Sequence, residues 1–333
     1  TSGPPANSAV IPLFNEYAGS TLNGDFEVGN DSVGNQYWGD YTPQGGTSMM
    51  KLITNGAGTA PGAVKNGKNM LELSRGGVAW NLFNSSSSEN DNLPRLNDIV
   101  CGSFWLYVPS NADTSQGIPY VYFMYQAVAG ADTKISSSEG YPAANIVKGA
   151  WNLIPITPLP NGYLREASAA KYVGVMINSP QLNTSNPTFP GKYYIDNIKV
   201  GSIKKGVLFS TATTLCDANG TPVSTVSASD TTVNANIAIQ NSVNATAQTA
   251  EVALACYEDK KLVGVKLNTI TIPEMGTSGL SSVSTEFRDI DISSADKSKL
   301  KVKAILLDSR DNLKPMVLPY HLFSQTKKVT PDH

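Results

Sequence analysis

Asp25, Glu27 and Asp196 are the residues of this chain that packing alone explains least. The first two sit in Asn23-Gly24-Asp25-Phe26-Glu27-Val28-Gly29, the third in Lys192-Tyr193-Tyr194-Ile195-Asp196-Asn197-Ile198-Lys199-Val200. Both stretches read as strands with one apolar side, and a carboxylate beside a core is costly unless paired, hydrogen-bonded or bound to a cation. In a strand, Asp25 and Glu27 point one way and Phe26 the other. If the strand carrying Asp196 lies alongside, three carboxylates converge. Hard oxygen ligands of that kind suit calcium, which accepts irregular sets of carboxylates and carbonyls. Carbonyls around Lys65-Asn66-Gly67-Lys68 would complete the shell. The plainer alternative has Asp25 capping the turn after Gly24 and Glu27 paired with a lysine such as Lys199.

A second chemistry is written in the aromatic residues. Sugars present apolar C–H faces ringed by hydroxyls, so a glycan-binding surface needs flat rings for the faces and polar groups for the rim. In Ser103-Phe104-Trp105-Leu106-Tyr107-Val108, alternation puts Phe104, Leu106 and Val108 on one side and Trp105 and Tyr107 on the other. In Tyr120-Val121-Tyr122-Phe123-Met124-Tyr125-Gln126, either Val121, Phe123 and Tyr125 or Tyr120, Tyr122 and Met124 face inward. The former set is the more apolar, which leaves Tyr120 and Tyr122 outside, while Tyr125 at the strand end is still able to reach a cleft. Trp80 follows a glycine pair and precedes Asn81. Trp80, Trp105, Tyr107, Tyr122 and Tyr125 are thus the stacking candidates, with Asn81, Arg75 and Gln126 as rim hydrogen-bonders. Each ring also has a reading as core, since a sandwich buries large aromatics.

Catalytic chemistry finds less to work with. The two histidines, His321 and His333, lie far from the aromatic-rich part of the chain, which leaves a nucleophilic triad without its base. Glu72, Glu89, Asp91 and Glu139 read as solvated acids rather than a hydrolytic pair. Tyr122 or Tyr125 with Arg75 is the arrangement a lyase would use.

The elements that hold these residues are strands. Short apolar or alternating runs recur between Gly, Pro, Asn and Ser clusters, the signature of a sandwich or barrel. They predict strands at 25–28, 49–53, 69–73, 78–83, 100–108, 120–127, 151–156, 172–177 and 193–200, enough for two antiparallel sheets. A boundary falls near Gly201-Ser202-Ile203-Lys204-Lys205-Gly206, and all four tryptophans precede residue 155. Beyond it, strands at 207–216, 232–240, 250–257, 261–272, 282–290 and 300–307 suit an immunoglobulin-like sandwich. Cys216 and Cys256 are either bonded to one another or buried as free thiols, and the apolar run around Cys256 favours the second. The 333 residues carry a net charge of −2 with 16% charged side chains, which lacks the basic footprint of a nucleic-acid binder. No apolar run reaches the roughly 20 residues that span a bilayer.

The opening and closing motifs, with Trp80 and Trp38 between them, resemble those of jelly-roll carbohydrate-binding modules of the xylan- and glucan-binding type. The stretches Leu262-Val263-Gly264-Val265-Lys266 and 301–315 resemble the small immunoglobulin-like tails of secreted bacterial polysaccharide-degrading enzymes. The resemblance implies a linker at 1–16, a jelly roll at 17–203, an immunoglobulin-like domain at 204–325 and a tail at 326–333. It implies a structural calcium where first and last strands meet, at Glu27 and Asp196 with Asp25. It also implies sugar stacking at Trp80, with Trp38 against the core. The expectation is an extracellular, monomeric, non-catalytic polysaccharide-binding region whose catalytic domain lies outside this stretch; the alternatives are an adhesive surface protein, a lyase or a hydrolase. The first residue, Thr1, and the loose stretch after it read as the product of export processing or excision.

Overall fold

The computed structural model describes residues 11–17, 24–27, 38–41, 50–54, 56, 60–62, 67–74, 78–84, 98–115, 117–126, 132–160, 162, 172–179 and 192–324. The chain divides into two compact units, Thr1–Lys204 and Lys205–His333. Among the described residues each is all-β, and no helix is long and apolar enough to cross a membrane.

Eleven strands of the first unit are described: β1 (Phe14–Glu16), β2 (Gly39–Tyr41), β3 (Met50–Thr54), β4 (Asn69–Ser74), β5 (Val78–Asn84), β6 (Val100–Val108), β7 (Tyr120–Gln126), β8 (Asp132–Ser137), β9 (Ala150–Pro158), β10 (Tyr172–Asn178) and β11 (Lys192–Ile203). The hydrogen-bonded path runs β2-β5-β10-β7-β8-β9-β6-β11-β4-β3. It folds over where β8 and β9 pair through two residues each, Ser136 and Ser137 against Pro158 and Thr157. A front layer, β2-β5-β10-β7-β8, thereby faces a back layer, β9-β6-β11-β4-β3. The chain crosses between layers at nearly every connection after β4, which is jelly-roll connectivity. Alternation supplies the core: Val121, Phe123, Val175 and Ile177 from the front meet Phe104, Leu106, Ile154, Ile195 and Leu71 from the back.

Two expectations change here. Residues 14–16, expected in a linker, belong to the sheet: Phe14, Asn15 and Glu16 pair with Ile203, Ser202 and Gly201 of β11. The reason is an edge: β4 pairs with β11 only over Lys192–Ile195, and β1 takes up its far end, which would otherwise offer unpaired backbone groups. Residues 24–27 are a turn and coil rather than a strand, because Phe26 has a positive φ of 57°. Its side chain still enters the core, against Trp38 at 5.5 Å between ring centroids.

The second unit carries β12 (Val207–Phe209), β13 (Thr214–Cys216), β14 (Pro222–Val223), β15 (Thr232–Asn241), β16 (Gln248–Glu258), β17 (Lys261–Ile272), β18 (Ser281–Asp291), β19 (Leu300–Leu307) and β20 (Tyr320–Ser324). One sheet has β15 between β18 and the β12/β13 pair, with β14 beyond β13. The other runs β17-β16-β19-β20. The second unit is thus built of two antiparallel sheets, of five and four strands. Where the two sheets adjoin, side chains bridge them: Asn268 Nδ2 donates to Glu286 O at 2.9 Å and Lys266 Nζ donates to Arg288 O. Cys101, Cys216 and Cys256 are buried free thiols, so no disulfide joins Cys216 to Cys256, and burial pushes the Cys101 and Cys256 thiols up to about 12.

One core position is imperfect. Ser136 is 0% exposed, on β8 opposite Phe123, and its hydroxyl has no hydrogen-bond partner. A buried unpaired hydroxyl costs about 1–3 kcal/mol. Ser136→Ala is therefore expected to melt at the same temperature as wild type or higher. A fall in the calorimetric midpoint would show that the hydroxyl is satisfied in solution.

Candidate functional site

The front layer turns one side to the core and the other away from it. Because directly opposed residues share a face, the register sorts the candidates. Trp80, Met176, Tyr122 and Ser137 stand opposite one another across β5, β10, β7 and β8, in the column facing away from the core. Gly39 of β2 extends that row beyond Trp80. Tyr120 lies two residues along from Tyr122, paired with Asn178. Gln126 has the same parity, opposite Tyr172 and Asp132.

Tyr120 and Tyr122 stack with ring centroids 6.1 Å apart and planes 28° from parallel. Asn178 Nδ2 donates to the Tyr120 hydroxyl at 2.9 Å. The Lys134 ammonium lies over both rings, 5.2 Å from the Tyr120 centroid and 4.6 Å from that of Tyr122. Glu139 Oε2 accepts from the same ammonium at 2.6 Å. The face thus combines aromatic surface, an amide and an ion pair.

The other expected contacts sort as follows. Tyr122 is on the expected side of β7 but only 4% exposed, because Tyr120 and Lys134 lie against it. Asn81 stands opposite Val175, a core residue, so its register position is in the core-facing column. Tyr125 likewise packs half-buried against the core. Arg75 lies outside the described residues.

Trp105 and Tyr107 belong to the other outer face, that of the back layer. Trp105 is 9% exposed, in the row Asp196–Trp105–Leu153, so it is no open platform. Tyr107 stands between Tyr194 and Trp151 in the next row, in edge-on contacts at 6.1 and 5.6 Å. Trp151 Nε1 donates to Gly62 O at 2.8 Å. With Ile53, Met70 and Ala60 these rings form a satellite cluster. The stacking candidates therefore share no single platform: the register positions of Trp80 and Tyr122 lie on the outer face of the front layer, and those of Trp105 and Tyr107 on the outer face of the back layer.

The carboxylates meet a different fate. β11 carries one extra residue between Asp196 and Lys199, with Asn197 at φ 51°. Ile198 N, turned out of the ladder by this bulge, donates to Gly24 O at 2.8 Å. The opening segment is thereby docked on the closing strand. Glu27 Oε1 accepts from Lys68 N at 2.7 Å and Asn69 N at 2.9 Å, at the head of β4. Asp25 is exposed, and its Oδ1 accepts a long 3.5 Å bond from Glu27 N. Asp196 is buried, and Lys199 pairs with Glu16 at 3.1 Å rather than with Glu27. Among the described residues no three His, Cys, Asp or Glu side chains gather as a metal cluster. The expected convergence of three carboxylates does not occur, because a positive-φ turn replaces the strand that would have aligned Asp25 with Glu27.

His321 lies on β20 of the second unit. A cavity of about 450 Å³ in that unit is lined by Leu215, Val223, Val226, Asp217, Asp230 and neighbouring Ser and Thr residues. It has no aromatic ring in its lining.

Fold and faces thus define a protein of two β-sandwiches, the first a jelly roll with a mixed aromatic and polar outer face. No protein-family description matches the chain, and no curated protein does. Among solved structures it is similar to the CBM22-2 xylan-binding domain from Paenibacillus barcinonensis Xyn10C, at 17% identity over 54% of this chain and 97% of that one, with a TM-score of 0.35. The CBM22-1-CBM22-2 tandem domain of the same protein matches over 94% of this chain and 97% of its own, at 10% identity and a TM-score of 0.33. TmCBM61, solved in complex with β-1,4-galactotriose, matches over 56% of this chain and 99% of its own, at 11% identity and a TM-score of 0.31. Identities this low and superpositions this partial carry nothing about function to this chain.

Proposed function

We propose that the first unit binds a polysaccharide, without chemistry of its own, on the outer face of its front layer. The observation that carries this reading is the row through the register positions of Trp80 and Met176, with the half-buried Tyr120 ring beside it, stacked over the buried Tyr122, and Asn178, Lys134 and Glu139 around it. Rings for the C–H faces of sugars, with amide and charged groups for the hydroxyls, are the two requirements of such a surface. Gln126, whose register position has the same parity, would supply a further amide. The resemblance of the opening and closing motifs to jelly-roll carbohydrate-binding modules points the same way. In this reading the chain is the extracellular accessory part of a larger carbohydrate-active enzyme, holding a catalytic domain outside this stretch close to a polymeric substrate and raising its local concentration. Affinity electrophoresis against soluble xylans, β-glucans and galactans tests it: retardation by at least one is expected, and free migration in every gel would end it.

We also propose a structural calcium at the corner where the opening segment meets β11. Glu27 and Asp196 would be its carboxylate ligands, and backbone carbonyls would supply the rest. The ion would neutralise carboxylate charge beside the core. A ligand held at about a hundred times its dissociation constant stabilises by about 2.7 kcal/mol. For a domain of this size that is a shift of about 5–10 °C. The melting midpoint is therefore expected to fall on adding chelator and to return with calcium. A midpoint indifferent to both would remove the ion.

A further inference from the structure

We infer that the Lys134–Glu139 ion pair sets the charge class of glycan accepted by the front face, favouring neutral polysaccharides over those bearing uronic acids. The inference rests on the binding reading above and deepens it. The Lys134 ammonium lies over the rings of Tyr120 and Tyr122, on the same face as the register position of Trp80. An ammonium so placed, left alone, is a receptor for a sugar carboxylate, since charge-assisted bonds to carboxylates are the strong ones. It is not left alone. Glu139 Oε2 sits 2.6 Å from the Lys134 nitrogen, and the two side chains are 52% and 33% exposed respectively.

Glu139 is held where it is by the backbone around it. Its N–H donates to Ser137 Oγ at 3.0 Å, and Ser138 N, next before it, donates to Val121 O at 2.9 Å. The turn after β8 is therefore fastened to β7, the strand that carries the two tyrosines. The pair presents donors and acceptors side by side with no net charge. Sugar hydroxyls use both. A uronate approaching Lys134 instead meets a carboxylate already in place, and like charges at that separation repel.

The test uses the full chain and matched probes: glucuronoxylan against the same material after carboxyl reduction, and a soluble β-glucan against its C6-oxidised form. Wild type is expected to be retarded more by the neutral member of a pair. Glu139→Gln keeps the shape and removes the charge. It is expected to shift the acidic-to-neutral retardation ratio about five-fold toward the acidic member, the order of an exposed charge pair. High salt should erase that gain, because the interaction is screened. Thermal melts of wild type and variant should coincide, since Glu139 is half-exposed. Wild type that binds but prefers the acidic member, or a variant with an unchanged ratio, overturns the inference while leaving glycan binding intact. Retardation of wild type by no probe removes both.

Discussion

Trp80→Ala is expected to abolish retardation by every polysaccharide that retards wild type. Trp80 is the tryptophan whose register position lies in the outward column of the front layer, opposite Met176 and one strand further from Tyr122. The described tryptophans elsewhere are committed: Trp38 to the core against Phe26, Trp105 to a buried row with Asp196, and Trp151 to the satellite cluster through Gly62 O. Truncation of a central aromatic anchor costs about 2 kcal/mol or more. That is about a thirty-fold loss of affinity, enough to return the band to its free mobility. The matched control is Tyr107→Ala on the opposite side of the sandwich, which should bind as wild type does. If Tyr107→Ala loses binding and Trp80→Ala keeps it, the glycan lies on the back layer and the front-face reading is wrong.

The reason the two faces were not separable in the sequence is topological. Alternation within β6 and β7 correctly divides each strand into a core side and an outer side: Phe104, Leu106, Val121 and Phe123 are in the core. It does not say which strands are neighbours. β6 and β7 follow one another in sequence, yet β6 lies between β9 and β11 and β7 between β8 and β10. Their outer sides therefore point in opposite directions, and Trp105 with Tyr107 parts company from Tyr122. A further limit is that an outer side need not be open. Tyr122 is covered by Tyr120 and by Lys134, which comes from β8, a strand absent from those the alternation predicts. The long strands were legible because they alternate over six or more residues. β1 has three residues and no period to read, so its pairing with β11 is visible only as backbone geometry.

The opening motif was also half legible, and its glycine is where the misreading can be tested. A strand at 25–28 would tolerate alanine at position 24. The observed docking does not. A Cβ on Gly24 would lie 2.1 Å from Ile198 O, inside any allowed contact, and that oxygen belongs to the bulge of β11 rather than to a flexible side chain. To relieve it, the segment must lift away from β11. That sacrifices the Ile198 N to Gly24 O bond and loosens Phe26, which is 1% exposed in the core. Overpacking of this kind costs about 1–3 kcal/mol, and a partly lost aromatic anchor adds to it. Gly24→Ala is therefore expected to lower the melting midpoint of the first unit by about 5–15 °C, at about 2–4 °C per kcal/mol. Gly140→Ala is the control, since nothing lies within 4 Å of its added Cβ, and it should melt as wild type does. The second sandwich has its own core, so its transition should stay where it is in both variants. A Gly24→Ala protein that melts with wild type would mean that the opening segment is not seated on the bulge. The corner proposed for calcium would then lose its geometry along with it.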